Sequence, residues 1–243
     1  MTSRVATARK TPRIAATPAV RDFAETLLEA AAAPELRKVE RTRLRLLASC
    51  ARLLAAGAEP AELTVADIVA AADLAHGTFY RYFPDVRAAI EALIADFARF
   101  LRDELANARD GATGSRERVR GATLAYTRAF RANAGLMRCL IALGREDTAF
   151  ARAFQELNQA WNRRMAAAIA RHRTGQSTKP ASVEALLPTA YALGGMIDEF
   201  LTQLYLRRDP ALARFARDEE AVADLLTELW CLGAYGKLPA GSR

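Results

Sequence analysis

The sequence is poor in the residues on which most metalloproteins and hydrolases depend. Its 243 residues include two histidines, His76 and His172, and three cysteines, Cys50, Cys139 and Cys231. The histidines are too far apart for a ligand motif, and three scattered cysteines make no disulfide framework. No G-x-S-x-G run and no phosphate-cradling glycine loop is present. Asp198 and Glu199 are adjacent on an apolar helical stretch, where neighbours point to different faces, so they form no carboxylate dyad. The chain therefore reads as a non-enzyme that needs no metal and no cofactor. Long apolar runs are missing as well. The longest, 186–197, is too short for a bilayer and carries Pro188, Gly194 and Gly195, which are expected to break it, so no membrane contact is expected. The first residues are polar and lack an apolar signal region, which points to the cytoplasm. Alternating β-branched segments are absent too, so strands are not expected.

Alanine and arginine dominate what is there. Apolar residues make up 51% of the chain but aromatics only 7%, so much of the apolar content is alanine, the best helix former. The fold is predicted to be all-α. The net charge is +7, and its distribution is uneven. Residues 1–45 carry ten basic and five acidic groups, whereas 46–93 carry three and six. Residues 1–18 hold Arg4, Arg9, Lys10 and Arg13 with no acid, and read as a basic arm. A first helix is expected over 19–33 and a second over 35–56. The second loads Arg37, Lys38, Arg41, Arg43 and Arg45 into its first turns. Cations there oppose the helix macrodipole, which suits a helix that meets an anion.

The most informative stretch is 64–83, TVADIVAAADLAHGTFYRYF. Thr64 with Asp67 three residues on is close to a capping box. Val65, Ile68 and Val69 face inward. Asp73 and Leu74 make a turn, and a short helix is expected over 75–83. Two short helices joined by a tight turn, with aromatic and basic residues at the end, have the form of a helix-turn-helix. Further amphipathic helices are expected over 86–108, 115–133, 135–144, 147–173, 183–206 and 218–236, with Gly135 marking one of the breaks.

This stretch resembles the DNA-binding domain of TetR-type bacterial transcriptional regulators. That family has a Thr-capped helix, a turn, and a short helix ending in T-[FL]-Y-x-[YH]-F, which here is Thr78-Phe79-Tyr80-Arg81-Tyr82-Phe83. The chain departs from the pattern in three places. Asp73 stands where glycine is usual, Ala75 where Ser or Thr caps the second helix, and Val86 where Lys is frequent, with Arg87 beside it.

The resemblance implies an N-terminal three-helix DNA-binding domain over 35–90, preceded by the arm and an extra helix over 1–34. A larger helical effector-binding and dimerisation domain would occupy 91–243. Expected contacts to a double-stranded operator are Arg41, Arg43, Thr64, His76, Gly77, Thr78, Tyr80, Arg81, Tyr82 and Arg87. Arg81 suits a guanine edge and Thr78 a thymine methyl, while Tyr80, Tyr82 and Thr64 suit phosphates. A largely apolar small effector is expected between the middle helices, against Phe97, Leu101, Phe130, Met137, Phe154, Trp161, Met165 and Tyr191. Helices 183–206 and 218–236 are expected to pair with those of a second copy in a homodimer. The implied function is a ligand-released repressor. An activator of the same family, or a helical adaptor that binds no effector, is the alternative.

Overall fold

The computed structural model describes residues 22–109, 112, 114–146, 148–174 and 182–236. The arm expected over 1–18 lies outside them. Every regular element among the described residues is helical. Helix α1, Phe23–Ala31, starts where the Asp22 side chain accepts the Ala24 N–H at 2.8 Å. It buries Phe23, Ala24 and Leu27. Its first N–H donates to Oδ1 of Asn133, 2.8 Å away and 110 residues on. The Phe23 ring meets those of Phe97 and Phe100, with centroids at 5.4 and 5.0 Å. The extra helix is thus fastened to the middle of the chain.

Helix α2, Lys38–Ala55, begins three residues later than expected, where the Glu40 carboxylate accepts the Arg37 N–H at 3.1 Å. Helices α3, Val65–Ala72, and α4, His76–Phe79, follow, then α5, Val86–Asn107. The domain boundary expected between residues 90 and 91 falls inside α5. One core runs from Phe23 and Leu47 through Phe97 and Phe130 to Leu226, so both ends of α5 are packed into the same apolar mass.

The body is built from α6, Ser115–Ala132, α7, Ala134–Leu143, α8, Ala149–Thr174, α9, Val183–Leu201, and α10, Glu219–Tyr235. The expected break at Pro188, Gly194 and Gly195 is not found: α9 runs through all three. Pro188 sits in the second turn, where its missing N–H removes one backbone bond, and the buried face of Leu186, Ala190 and Leu193 outweighs that loss. The helix then widens into a π-turn, Thr202–Leu206, and a 3-10 turn, Pro210–Phe215, precedes α10. Three arginines of α6 grip α10: Arg120 reaches Glu220 and Asp224, Arg128 reaches Glu219 and Glu220, and Arg131 reaches Glu219, at 2.5–3.2 Å. A smaller apolar cluster of Ile169, Leu186, Trp230 and Cys231 joins α8, α9 and α10. No helix among the described residues is long and apolar enough to cross a membrane.

Gly135 does not end a helix. It is the second residue of α7, and a Cβ there would lie 2.3 Å from the carbonyl oxygen of Leu54 at the end of α2. Arg138 of α7 meets Glu59 across the same contact at 3.3 Å.

Candidate nucleic-acid interface and internal cavity

Local sequence sets the geometry of α3 and α4. The Thr64 hydroxyl accepts the Asp67 N–H at 3.2 Å, and the Asp67 carboxylate accepts the Thr64 N–H at 3.0 Å. The Thr64 hydroxyl also donates to that carboxylate at 2.5 Å, and this bond first, then the one from the Thr64 N–H, holds the Asp67 carboxyl below its ordinary range. The carboxylate therefore already occupies the anion position at the start of α3, next to Thr64. Asp73 ends α3 in the left-handed region, at φ 52° and ψ 55°, which Asp tolerates better than most side chains. The following helix is shorter than expected. Regular α4 covers His76–Phe79, and residues 80–82 continue as turns. Phe79 is fully buried, and its ring packs on Phe83 at 5.7 Å, which fixes the opposite side of α4 outward.

That outward side carries His76, Gly77, Tyr80 and Arg81, all exposed, with Thr78 half-buried. Tyr80 is 54% exposed although it is a large aromatic. A Cβ placed on Gly77 would meet nothing within 4 Å, so the fold itself has no need of glycine there. Tyr82 is half-buried against the core. The basic residues around this face are mostly engaged. Arg41 donates to the Leu36 carbonyl at 2.9 Å. Arg43 lies 3.3 Å from Asp96 and over the Phe83 ring. Arg45 donates to the Ala72 carbonyl at 2.6 Å, and Arg87 bridges Glu91 and Glu146 at 2.9 and 2.5 Å. Within the described residues Arg81 makes no such pair.

Ala75 is the N-cap of α4, in extended backbone at φ −70° and ψ 144°, with no side-chain bond to the helix start. Ala75→Ser is expected to stabilise the chain by about 0.5–2 kcal/mol, because the new hydroxyl accepts a first-turn N–H. Urea denaturation of the two proteins checks this. A less stable serine variant would mean that the uncapped end is better served by water.

A cavity of about 390 Å³ lies between α5, α6, α8 and α9. Of the residues expected along an effector, Leu101, Phe154, Trp161, Met165 and Tyr191 line it. Phe97, Phe130 and Met137 do not. They are 0–2% exposed and packed in the main core. The walls also carry polar groups that were not expected there: Arg102, Arg109, Tyr126 and Asp198. The Tyr126 hydroxyl donates to Oδ1 of Asp198 at 2.8 Å. Asp198 is solvent-accessible, and it lines the cavity. Burial raises its carboxyl, and the Tyr126 bond only partly offsets this. Tyr126 is pushed up in turn by burial and by the charge of Asp198.

A carboxyl raised by folding gives stability that is intact below its unfolded pKa. That stability is lost as pH rises through the folded value. Asp198→Asn keeps an acceptor for Tyr126 and removes the desolvated charge. Its melting temperature is expected to equal that of the parent in acid and to exceed it at neutral pH. A variant less stable than the parent at neutral pH would overturn this.

No family model and no curated protein matches the sequence. Solved structures do match. A TetR-like transcriptional regulator from Rhodococcus sp. RHA1 superposes with a TM-score of 0.62 at 20% identity, over 84% of this chain and 100% of that one. The fatty acid degradation regulator FadR from Bacillus halodurans matches with a TM-score of 0.60 at 16% identity, over 78% and 94%. FadR from Bacillus subtilis, solved in complex with stearoyl-CoA, matches with a TM-score of 0.58 at 15% identity, over 78% and 98%. At such identities the likeness is one of architecture. The superposition covers 94–100% of each matched chain, and the chain has the fold of the TetR-type transcriptional regulators, an N-terminal helix-turn-helix followed by a helical body.

Proposed function

We propose that the chain is a transcriptional regulator that binds a pseudo-palindromic operator as a homodimer and is released by a largely apolar small molecule. The observation that carries this reading is the outer side of α4. A partly exposed tyrosine, an arginine with no ion pair among the described residues and a glycine that the fold does not require share one short helix and the turn that ends it. Such a surface has no internal purpose, and it suits a major groove. Arg81 reads a base edge there, Tyr80 holds a phosphate, and Gly77 lets the backbone come close. Arg43 and Arg87 supply phosphate contacts only by leaving the carboxylates they now hold. Homodimerisation is supported by Leu229 and Leu232 on α10, 42% and 44% exposed and outside the cavity. A second copy seated there buries apolar side chains that a monomer leaves in water. By this reading the protein works in the cytoplasm, as a repressor without catalytic activity.

The test is selection of bound duplexes from a random pool, followed by fluorescence anisotropy. A tight, salt-dependent site with two half-sites about 34–36 Å apart, or a multiple of that, is expected. Tyr80→Phe is expected to weaken specific and random duplexes alike. Arg81→Ala is expected to lower specific affinity by about 1–3 kcal/mol and to relax preference at one base pair. Gly77→Ala keeps the fold and loses binding. No enrichment over the random pool would refute the reading.

A further inference from the structure

The cavity is apolar along most of its wall, yet its charged lining is unbalanced. Arg109, in the turn two residues beyond α5, lies over the face of Trp161 with its guanidinium carbon 4.6 Å from the ring centroid. Arg164 approaches the same ring at 5.9 Å. Two cations share one aromatic ring, and within the described residues neither pairs with a carboxylate. Burial, and then the charge of Arg164, push the Arg109 guanidinium down from its ordinary value. Arg102, on α5, also lines the cavity, and among the described residues it pairs with no carboxylate. The one acidic residue on the wall, Asp198, is occupied by Tyr126.

The two polar groups stand at different levels. A Cβ on Gly121 would sit 2.4 Å from the carbonyl of Ala108, so Gly121 marks the level of Arg109 on α6. Tyr126 is five residues further along α6, about 7.5 Å at the helical rise. The chamber thus has a cationic end at Arg109 and Trp161, with the Tyr126–Asp198 pair set well away from it. Leu101, Leu105 and Met165 add apolar wall.

From this arrangement we infer that the effector is an amphipathic anion: a long apolar tail lies along the cavity, and its carboxylate or phosphate is bound by Arg109. The inference rests on the reading of this cavity as the effector site. A bound anion would offset the repulsion between Arg109 and Arg164. It would also accept charge-assisted bonds from a planar fork already held in place by the Trp161 ring.

The chain provides its own reporter. It has two tryptophans, Trp161 and Trp230, and both line this cavity, so intrinsic fluorescence reads the site directly. The full-length protein, free of DNA, is titrated with dodecanoate, dodecyl phosphate, dodecanol and dodecylammonium below their micelle concentrations. At least one of the two anions is expected to bind about tenfold tighter than dodecanol, the gain of one charge-assisted bond, with dodecylammonium weakest. The tighter of the two identifies the headgroup as carboxylate or phosphate. Arg109→Gln is expected to erase the preference for the anion and to leave dodecanol binding in place, whereas Arg109→Lys keeps most of it. Circular dichroism confirms that each variant is folded.

Three results would overturn the inference: dodecanol as tight as both anions, dodecylammonium tightest, or a preference that survives Arg109→Gln in a folded protein. Silence of the fluorescence towards all four ligands would overturn it as well. Anion selectivity in a protein that selects no duplex would uphold the cavity chemistry while refuting the regulator.

Discussion

Replacing Gly135 with alanine is expected to destabilise the protein by at least about 2 kcal/mol, although the residue is inside a helix. In an exposed helix the same change would stabilise by about 1 kcal/mol, since alanine is the better helix former. Here the added methyl would lie 2.3 Å from the Leu54 carbonyl oxygen and 3.0 Å from the Ala55 Cα. Both neighbours are backbone at the end of α2, so no side chain can swing aside. Either α7 or the end of α2 must move, and the overpacking penalty exceeds the helical gain. The Arg138–Glu59 pair spans the same seam, so its geometry changes too. Urea denaturation measures the loss. An alanine variant as stable as the parent would show that the two helices separate without strain.

Phe97→Ala is expected to cost about 3–5 kcal/mol, a large part of the ~5–15 kcal/mol that holds a domain together. Phe97 is 0% exposed, packed against the rings of Phe23 and Phe100, and outside the cavity. Its truncation leaves a void that the surrounding α1, α2 and α5 can fill only partly. Leu157→Ala, on the cavity wall and 41% exposed, is expected to stay within about 0.5 kcal/mol of the parent. The two variants separate core from chamber by thermal denaturation alone. Equal effects would place Phe97 on the cavity wall.

The contrast between those two residues shows where the sequence stops being legible. A buried phenylalanine and a cavity-lining leucine have the same helical spacing, so periodicity put Phe97, Phe130 and Met137 beside Leu101 and Trp161 without distinction. The helix-turn-helix was legible because its signals are local. The Thr64–Asp67 box and a left-handed Asp73 both act within a few residues of where they stand. Helix limits were legible to within a few residues, except where a short helix unwinds early, as at Phe79. The charge network was not legible, because its partners are remote. Arg43 and Asp96 are 53 residues apart, Arg87 and Glu146 are 59, and Tyr126 and Asp198 are 72. Asp198 was read against its neighbour Glu199, whereas its chemistry is set by a tyrosine three helices earlier.

The bond from the Phe23 N–H to Asn133 puts a clock on synthesis of the chain. At about 5–20 residues per second, a ribosome that has just made Phe23 needs on the order of ten seconds to make the 110 residues up to Asn133. Phe97 and Phe100 arrive a few seconds before it. Until then α1 can lean on α2 with its first N–H in water and the Phe23 ring unmatched. Helix α1 is therefore sealed only after α6 has been made, and a nascent chain stalled before Asn133 presents that unfinished end to chaperones and proteases.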